Sequence, residues 1–205
     1  MESTSRDDVD RRPTGSAVLR ESVTETIRRA VFEELAQTGF ARMSMEAVTR
    51  RAHVGKAALY RRWPSKEAMV VELVSEAAAE HLPATAGSGS LRDDVERFVR
   101  DTMADLRHPL VGRIVPDLVA ESARNPSLSA ALHEAVLAPR RAAVATVLHQ
   151  AIDRGELPAD IDMGLAVDLF GAPLYFRMLA VGGPTDDAYV ARLTRAVLSA
   201  LAASR

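Results

Sequence analysis

The chain has 205 residues, 47% hydrophobic and only 4% aromatic, with 28 acids against 26 bases and a net charge of −2. That length holds one large domain or two small ones with ample core. The absence of cysteine excludes disulfides, a thiolate metal site and a cysteine nucleophile.

No useful period-2 alternation appears and Ala-rich stretches dominate, so an all-α fold is expected. The N-terminus lacks an apolar leader core, and no stretch is expected to reach the length of a membrane span. The expectation is therefore a soluble, cytoplasmic protein.

Residues 1–15 are polar and mixed in charge, with Pro13 and Gly15 near the end, and read as a disordered tail. Arg11 and Arg12 offer a basic arm for a minor groove; a floppy terminus is the plainer reading. A first helix is expected over 17–38. Val23, Ile27, Val31 and Leu35 recur at four-residue steps, beside Phe32 and Ala36, and Gly39 supplies the stop. It should lie across the next two helices and complete a core with Phe40, Val48, Leu59 and Trp63.

Residues 40–66 are the most informative stretch. Ser44 can cap a short helix whose Met45, Val48 and Ala52 fall on one side. Ala52-His53-Val54-Gly55 leaves room only for a tight turn. Residues 56–63 then make about two turns, with Leu59 and Trp63 inward and Lys56, Ala57, Tyr60 and Arg61 outward. Two short helices so joined form a helix-turn-helix, whose second helix suits the DNA major groove. Seven Lys/Arg against one acid, Glu46, give this stretch +6, leaving −8 for the rest. A basic patch on an acidic protein is the footprint of a phosphate-binding surface, where a solvated helix face is the plainer alternative.

The run Val54-Gly55-Lys56-Ala57-Ala58-Leu59-Tyr60-Arg61-Arg62-Trp63-Pro64-Ser65-Lys66-Glu67-Ala68 resembles the recognition-helix signature of the TetR/AcrR (tetracycline-repressor) family of bacterial transcriptional regulators. The likeness covers roughly residues 20–75. It implies about nine helices, with a helix-turn-helix domain over 16–66 and a ligand-binding and dimerisation domain over 67–205. It also implies a homodimer that binds double-stranded operator DNA, relieved by a small effector. His53 stands where members usually carry glycine, at a position expected to have positive φ.

Pro64-Ser65-Lys66-Glu67 opens a helix running to about His81, the natural mechanical link to the rest. Residues 83–90 read as a loop; its glycines lack the motif of a phosphate cradle. Five more helices are expected. Ser90 and Asp93 resemble a capping box, and 109–123 follows. Asn125-Pro126 starts a long helix that Pro139 should kink or divide and Gly155 end. Asp162 caps the penultimate helix, and Thr185 starts the last.

Lys56 and Ala57 are the base-edge candidates, since lysine donates to guanine O6/N7 and an alanine methyl packs on thymine. Ser44, Thr49, Tyr60, Arg61, Arg62 and Lys66 are phosphate candidates, because hydroxyls and cations make positioning contacts. Glu46 can accept from cytosine N4, and its plainer reading is a solvated first-turn carboxylate. For the dimer, Leu165, Leu169, Ala172, Phe176 and Leu179 on the penultimate helix join Leu193, Val197 and Leu201 on the last; ordinary core is the alternative. The implied effector, small and largely apolar, is expected against Phe98, Met103, Leu106, Ile114 and Leu118, then Leu137, Val144 and Phe170. His108, Arg113 and Arg140 would add polar contacts.

Two other classes of function stand as alternatives. His53, His81, His108, His133 and His149 are scattered. His133-Glu134 begins a zinc-protease pattern, but position 137 is leucine. No nucleophile elbow or Glu-x-x-His pair appears. No catalytic residue, cofactor or metal is expected, which leaves an enzyme or a plain helical interaction module as runners-up.

Overall fold

The structure is a computed structural model describing residues 15–82 and 87–204, with side chains from residue 23 onward. The tail reading for residues 1–14, with Arg11 and Arg12, and the loop positions 83–86 lie outside the described residues.

No strand occurs among the described residues. The N-terminal half runs α1 (Gly15–Arg42), α2 (Met45–Ala52), α3 (Lys56–Arg62) and α4 (Lys66–Glu80). There follow α5 (Leu91–Arg107), α6 (Val111–Ser122), α7 (Pro126–Leu132), α8 (Ala138–Asp153), α9 (Met163–Tyr175) and α10 (Asp187–Ala203). One π-helical segment, His133–Leu137, joins α7 to α8, and another, Phe176–Val181, extends α9. Taken as continuous rods, these make nine helices among the described residues, as expected.

Helices start where the sequence supplies side-chain acceptors. Ser44, Ser65, Ser90, Asn125, Asp162 and Asp186 each accept a backbone N–H three residues on. The last helix is thus capped by Asp186 rather than Thr185, whose hydroxyl instead accepts from Arg107 at 2.9 Å. Half of the expected capping box is absent, because Ser88 Oγ, not Asp93, takes the Ser90 N–H at 3.3 Å. Pro139 interrupts the α winding of its rod without ending it. Its ring crowds the preceding turn and donates nothing, and the π segment just before it absorbs the mismatch.

Two cores result. Ile27, Val31, Leu35, Phe40, Val48, Leu59 and Trp63 pack together as expected, joined by Met69, Val70 and Leu73 of α4. Ile114 and Leu118 of α6 belong to this first core, which corrects their reading as cavity lining. The second core gathers Val95, Val99 and Met103 of α5, Val144 and Leu148 of α8, Phe170 and Leu174 of α9, and one face of α10.

That α10 face is Leu193, Val197 and Leu201, all buried within the protomer. Their reading as partner surface is therefore corrected. An aliphatic stripe records that a face is buried but not by what, and here α5 covers it. The exposed side of α10 carries Ala191, Arg192, Arg195 and Ser199.

On the penultimate rod, Leu165 (48% exposed), Ala172 and Phe176 (67% exposed) face outward, and Leu169 and Leu179 are half-buried. Met163–Val181 spans 19 residues at hydropathy 1.4, long and apolar enough to cross a membrane, against the expectation that no stretch would be. Asp168 and Arg177 interrupt it, and Asp168 pairs with Arg141 of α8.

Candidate nucleic-acid interface

α2 is fixed at both ends. Ser44 Oγ accepts the Ala47 N–H at 3.1 Å, leaving its own hydroxyl proton unassigned within this bond. At the other end His53 adopts φ 55°, ψ 38°, the left-handed conformation expected of it. Its neighbour Val54 returns an N–H to Thr49 O at 3.2 Å, closing the turn. The chain then reverses into α3, which buries Leu59 against the core while Lys56, Ala57 and Tyr60 stay exposed. Trp63, 1% exposed, anchors the end of α3, and the Arg62 guanidinium stacks 4.4 Å from its ring centroid.

The seven cations of this stretch divide sharply. Arg51 is spent on α1, meeting Glu34 at 2.9 Å and Gln37 at 2.6 Å. Arg42 caps Thr38 O at 3.0 Å. Arg62 reaches Thr24 at 2.7 Å and Glu72 at 3.3 Å. Lys66 donates to Phe40 O at 2.7 Å and Ala41 O at 3.3 Å, with its ammonium 4.4 Å from the Phe40 ring. Lys56 pairs with Glu46 at 2.6 Å. Arg50 and Arg61 are exposed and make no ion pair among the described residues. Arg50, outside the phosphate candidates named from the sequence, stands four residues after Glu46 on an amphipathic helix, a spacing that puts it on the outward face. Thr49 donates to Glu46 O at 2.9 Å and is half-buried.

The Lys66 contact is one side of a larger junction. α1 breaks at Gly39, with φ 76° and ψ 162°. Beyond the break, the Phe40 N–H donates to Asp117 Oδ2 of α6 at 2.7 Å. α4 also meets α7, where Ser127 Oγ donates to Glu67.

The far end of α4 borders a cavity of about 290 Å³ between α4, α5, α8 and α9. Its apolar wall is Phe98, Val144, Val147 and Phe170, with the two phenylalanines edge to face at 5.4 Å. Its polar wall includes Glu80, Asp94, Asp101, Asp105, Arg97 and Arg140. Phe98, Val144, Phe170 and Arg140 line this cavity. Met103 and Leu106 are buried in packing instead, Leu137 is 50% exposed on the π segment, and His108 and Arg113 face solvent. The misplacements share a cause: the π segment and the two-core division set which faces meet, and periodicity carries neither. Arg140 also donates to His81 O at 3.2 Å, tying α8 to the end of α4.

Residues 27–73 match the family described as bacterial regulatory proteins, tetR family, and residues 85–197 match the tetracyclin repressor-like C-terminal domain. A DNA-binding transcriptional repressor, TetR, of Mycobacteroides abscessus is 30% identical over 184 residues, covering 88% of this chain and 94% of the relative. The crystal structure of a TetR family transcription regulator superposes with a TM-score of 0.68 at 30% identity, covering 87% of this chain and 97% of that one. A transcriptional regulator FadR from Bacillus subtilis, solved in complex with stearoyl-CoA, shares the fold at TM-score 0.70 and 16% identity, covering 89% of this chain and 99% of that one.

Proposed function

The chain belongs to the tetR family of bacterial regulatory proteins, and on that premise we propose a ligand-released repressor that holds a pseudo-palindromic operator as a homodimer. It is a sequence-specific DNA-binding transcriptional regulator. The observation that carries the reading is the exposed start of α3, with Lys56 and Ala57 outward and the uncommitted cations Arg50 and Arg61 beside them. The reading has no catalytic step and puts the protein in the cytoplasm with the DNA it binds.

Lys56 and Ala57 read base edges. Ser44, Tyr60, Arg61 and Arg62 position phosphates, and Arg50 joins them. Thr49 and Lys66 belong to the proposed set as well, although each already donates to a backbone carbonyl, Glu46 O and Phe40 O. The division at residue 66 is functional: residues 16–66 bind DNA, and 67–205 bind ligand and partner. The outward face of α9 and its π extension, with Leu165, Ala172 and Phe176, supplies an apolar dimer surface, completed by the small and basic side of α10.

A ligand in the cavity would lay an apolar body on Phe98 and Phe170 and turn a polar group toward Arg140 or the acids. Because Glu80 and His81 border it, such a ligand reaches α4 directly. It releases DNA only if it binds the DNA-incompetent arrangement more tightly than the competent one.

The test is selection from randomised duplex DNA, followed by titration across salt. Enrichment of a two-fold symmetric site, with affinity falling as salt rises, is expected. A salt-insensitive protein that enriches no sequence would overturn the reading.

A further inference from the structure

The reading of α3 as a DNA-facing helix carries one step further, to a residue whose charge is wrong for phosphate. Glu46 is the one acid between residues 40 and 66. It lies in the first turn of α2, a half-buried residue whose side chain is 47% accessible, beside the exposed Lys56 at 62%. A carboxylate on a DNA-facing surface repels the backbone and weakens every phosphate contact nearby. Glu46 is nevertheless tied to the best-placed base-reading candidate. Its Oε1 stands 2.6 Å from Lys56 Nζ, and Tyr60 Oη stands 3.5 Å from the same oxygen. The ammonium also lies 5.5 Å from the Tyr60 ring centroid. The hydrogen bond from Lys56 holds the Glu46 carboxyl below its usual range, and Glu46 holds the lysine above its own, so the pair stays charged at neutral pH.

A base pair presents groups that such an ion pair can match. On the major-groove edge of G·C, guanine O6 accepts and cytosine N4 donates, and the two are hydrogen-bonded to each other at about 3 Å. An ammonium and a carboxylate 2.6 Å apart present the complementary donor and acceptor at nearly that spacing. Turned to C·G or A·T, the ammonium would face an amino group and the carboxylate a carbonyl. T·A keeps the O4/N6 pattern but puts a methyl where guanine N7 would accept.

We propose that Lys56 and Glu46 read one G·C base pair jointly, the lysine donating to guanine O6 and N7 and the glutamate accepting from cytosine N4. Glu46 is then a specificity-determining residue, not a bystander on the helix surface.

The experiment uses the full chain and the duplex obtained by selection. Affinities for that duplex and for each single base-pair replacement are measured for the unmodified protein, Glu46→Gln, Glu46→Ala, Lys56→Ala and the double variant, at two salt concentrations. The unmodified protein should prefer G·C at one pair by about tenfold. Glu46→Ala and Lys56→Ala should each reduce the preference at that same pair, and the double variant should lose little more than the worse single. Circular dichroism checks that each variant folds; Glu46→Gln, nearly isosteric, carries the test if Glu46→Ala does not. If Glu46→Ala and Glu46→Gln tighten all duplexes equally with base preferences unchanged, Glu46 is only an electrostatic brake and the proposal fails. It fails also if the two residues alter different base pairs. An unmodified protein that selects no sequence at all would remove the operator reading together with this one.

Discussion

Asp117 Oδ2 lies 2.7 Å from the backbone nitrogen of Phe40, while Lys66 Nζ lies 2.7 Å from the same residue's carbonyl oxygen. A single residue is therefore held by an acid from α6 and a base from α4. Gly39 makes this possible, since a Cβ there would stand 2.5 Å from Asp117 Oδ1 at a φ of +76°. The three helices that meet at this point belong to both ends of the proposed switch.

The first prediction follows from that junction. Asp117→Ala should destabilise the protein by about 1–3 kcal/mol, because a half-buried N–H loses a charged acceptor. Gly39→Ala should cost at least as much, through both backbone strain and displacement of the carboxylate. Combined, the two should fall short of their sum, since each breaks the same bond. Urea unfolding of the four proteins checks all three statements; full additivity would mean that the contact is not shared.

His53 is the one non-glycine residue with positive φ among those described. His53→Gly removes the Cβ penalty while keeping the turn, and should stabilise the fold by roughly 0.5–1 kcal/mol. Thermal melts at matched concentration should show the rise. A lower melting temperature would show instead that the imidazole contributes contacts that outweigh the strain.

Glu156 gives a pH prediction. The Leu91 N–H, at 2.8 Å, and then Arg154 hold its carboxyl below the usual carboxylate range. A depressed folded-state pKa means that its stabilisation is complete above the unfolded value of about 4.3 and is lost as pH falls through the folded one. Stability of the unmodified protein should therefore drop more steeply on acidification below about pH 5 than that of Glu156→Gln. Parallel curves for the two proteins would contradict the assignment.

The proposed dimer surface separates two residues that look alike in the sequence. Phe176→Asp, at a position 67% exposed, should leave a folded protomer that sediments as a monomer and binds operator weakly. Leu193→Asp, at a position 9% exposed, should unfold the protomer by burying a charge. Light scattering and circular dichroism on each variant distinguish the two outcomes. A dimeric Phe176→Asp protein would place the interface elsewhere.

The same contrast shows what a sequence can carry. The caps at Ser44, Ser65 and Asp162, the turn at His53 and the break at Gly39 were all legible, because each is decided within four residues of itself. Long-range partners were not. Nothing local tells that Arg51 and Lys66 serve intrachain contacts, or that Ile114 packs toward α1 and not into the cavity. Leu193 and Leu165 occupy equally apolar stripes, and only the placement of α5 decides which one is covered. Of the proposed DNA contacts, the exposure of Lys56, Ala57, Tyr60 and Arg61 was readable, while the half-burial of Ser44, Thr49 and Lys66 and the competition for each charge were not.

The π segment before α8 has a consequence for how this chain can change. One extra residue in uninterrupted α winding turns everything beyond it by about 100° around the axis, whereas a π turn takes up that residue in place. Deleting one residue from His133–Leu137 would therefore restore ordinary winding and leave Arg140, Val144 and Val147 on the cavity wall. α4 packs against α7 and against the π segment itself, so the contacts of α4 at that turn are the ones such a deletion would alter. A change of one residue at this spot is therefore taken up as slack in the turn, moving what α4 leans on while the cavity wall keeps its residues.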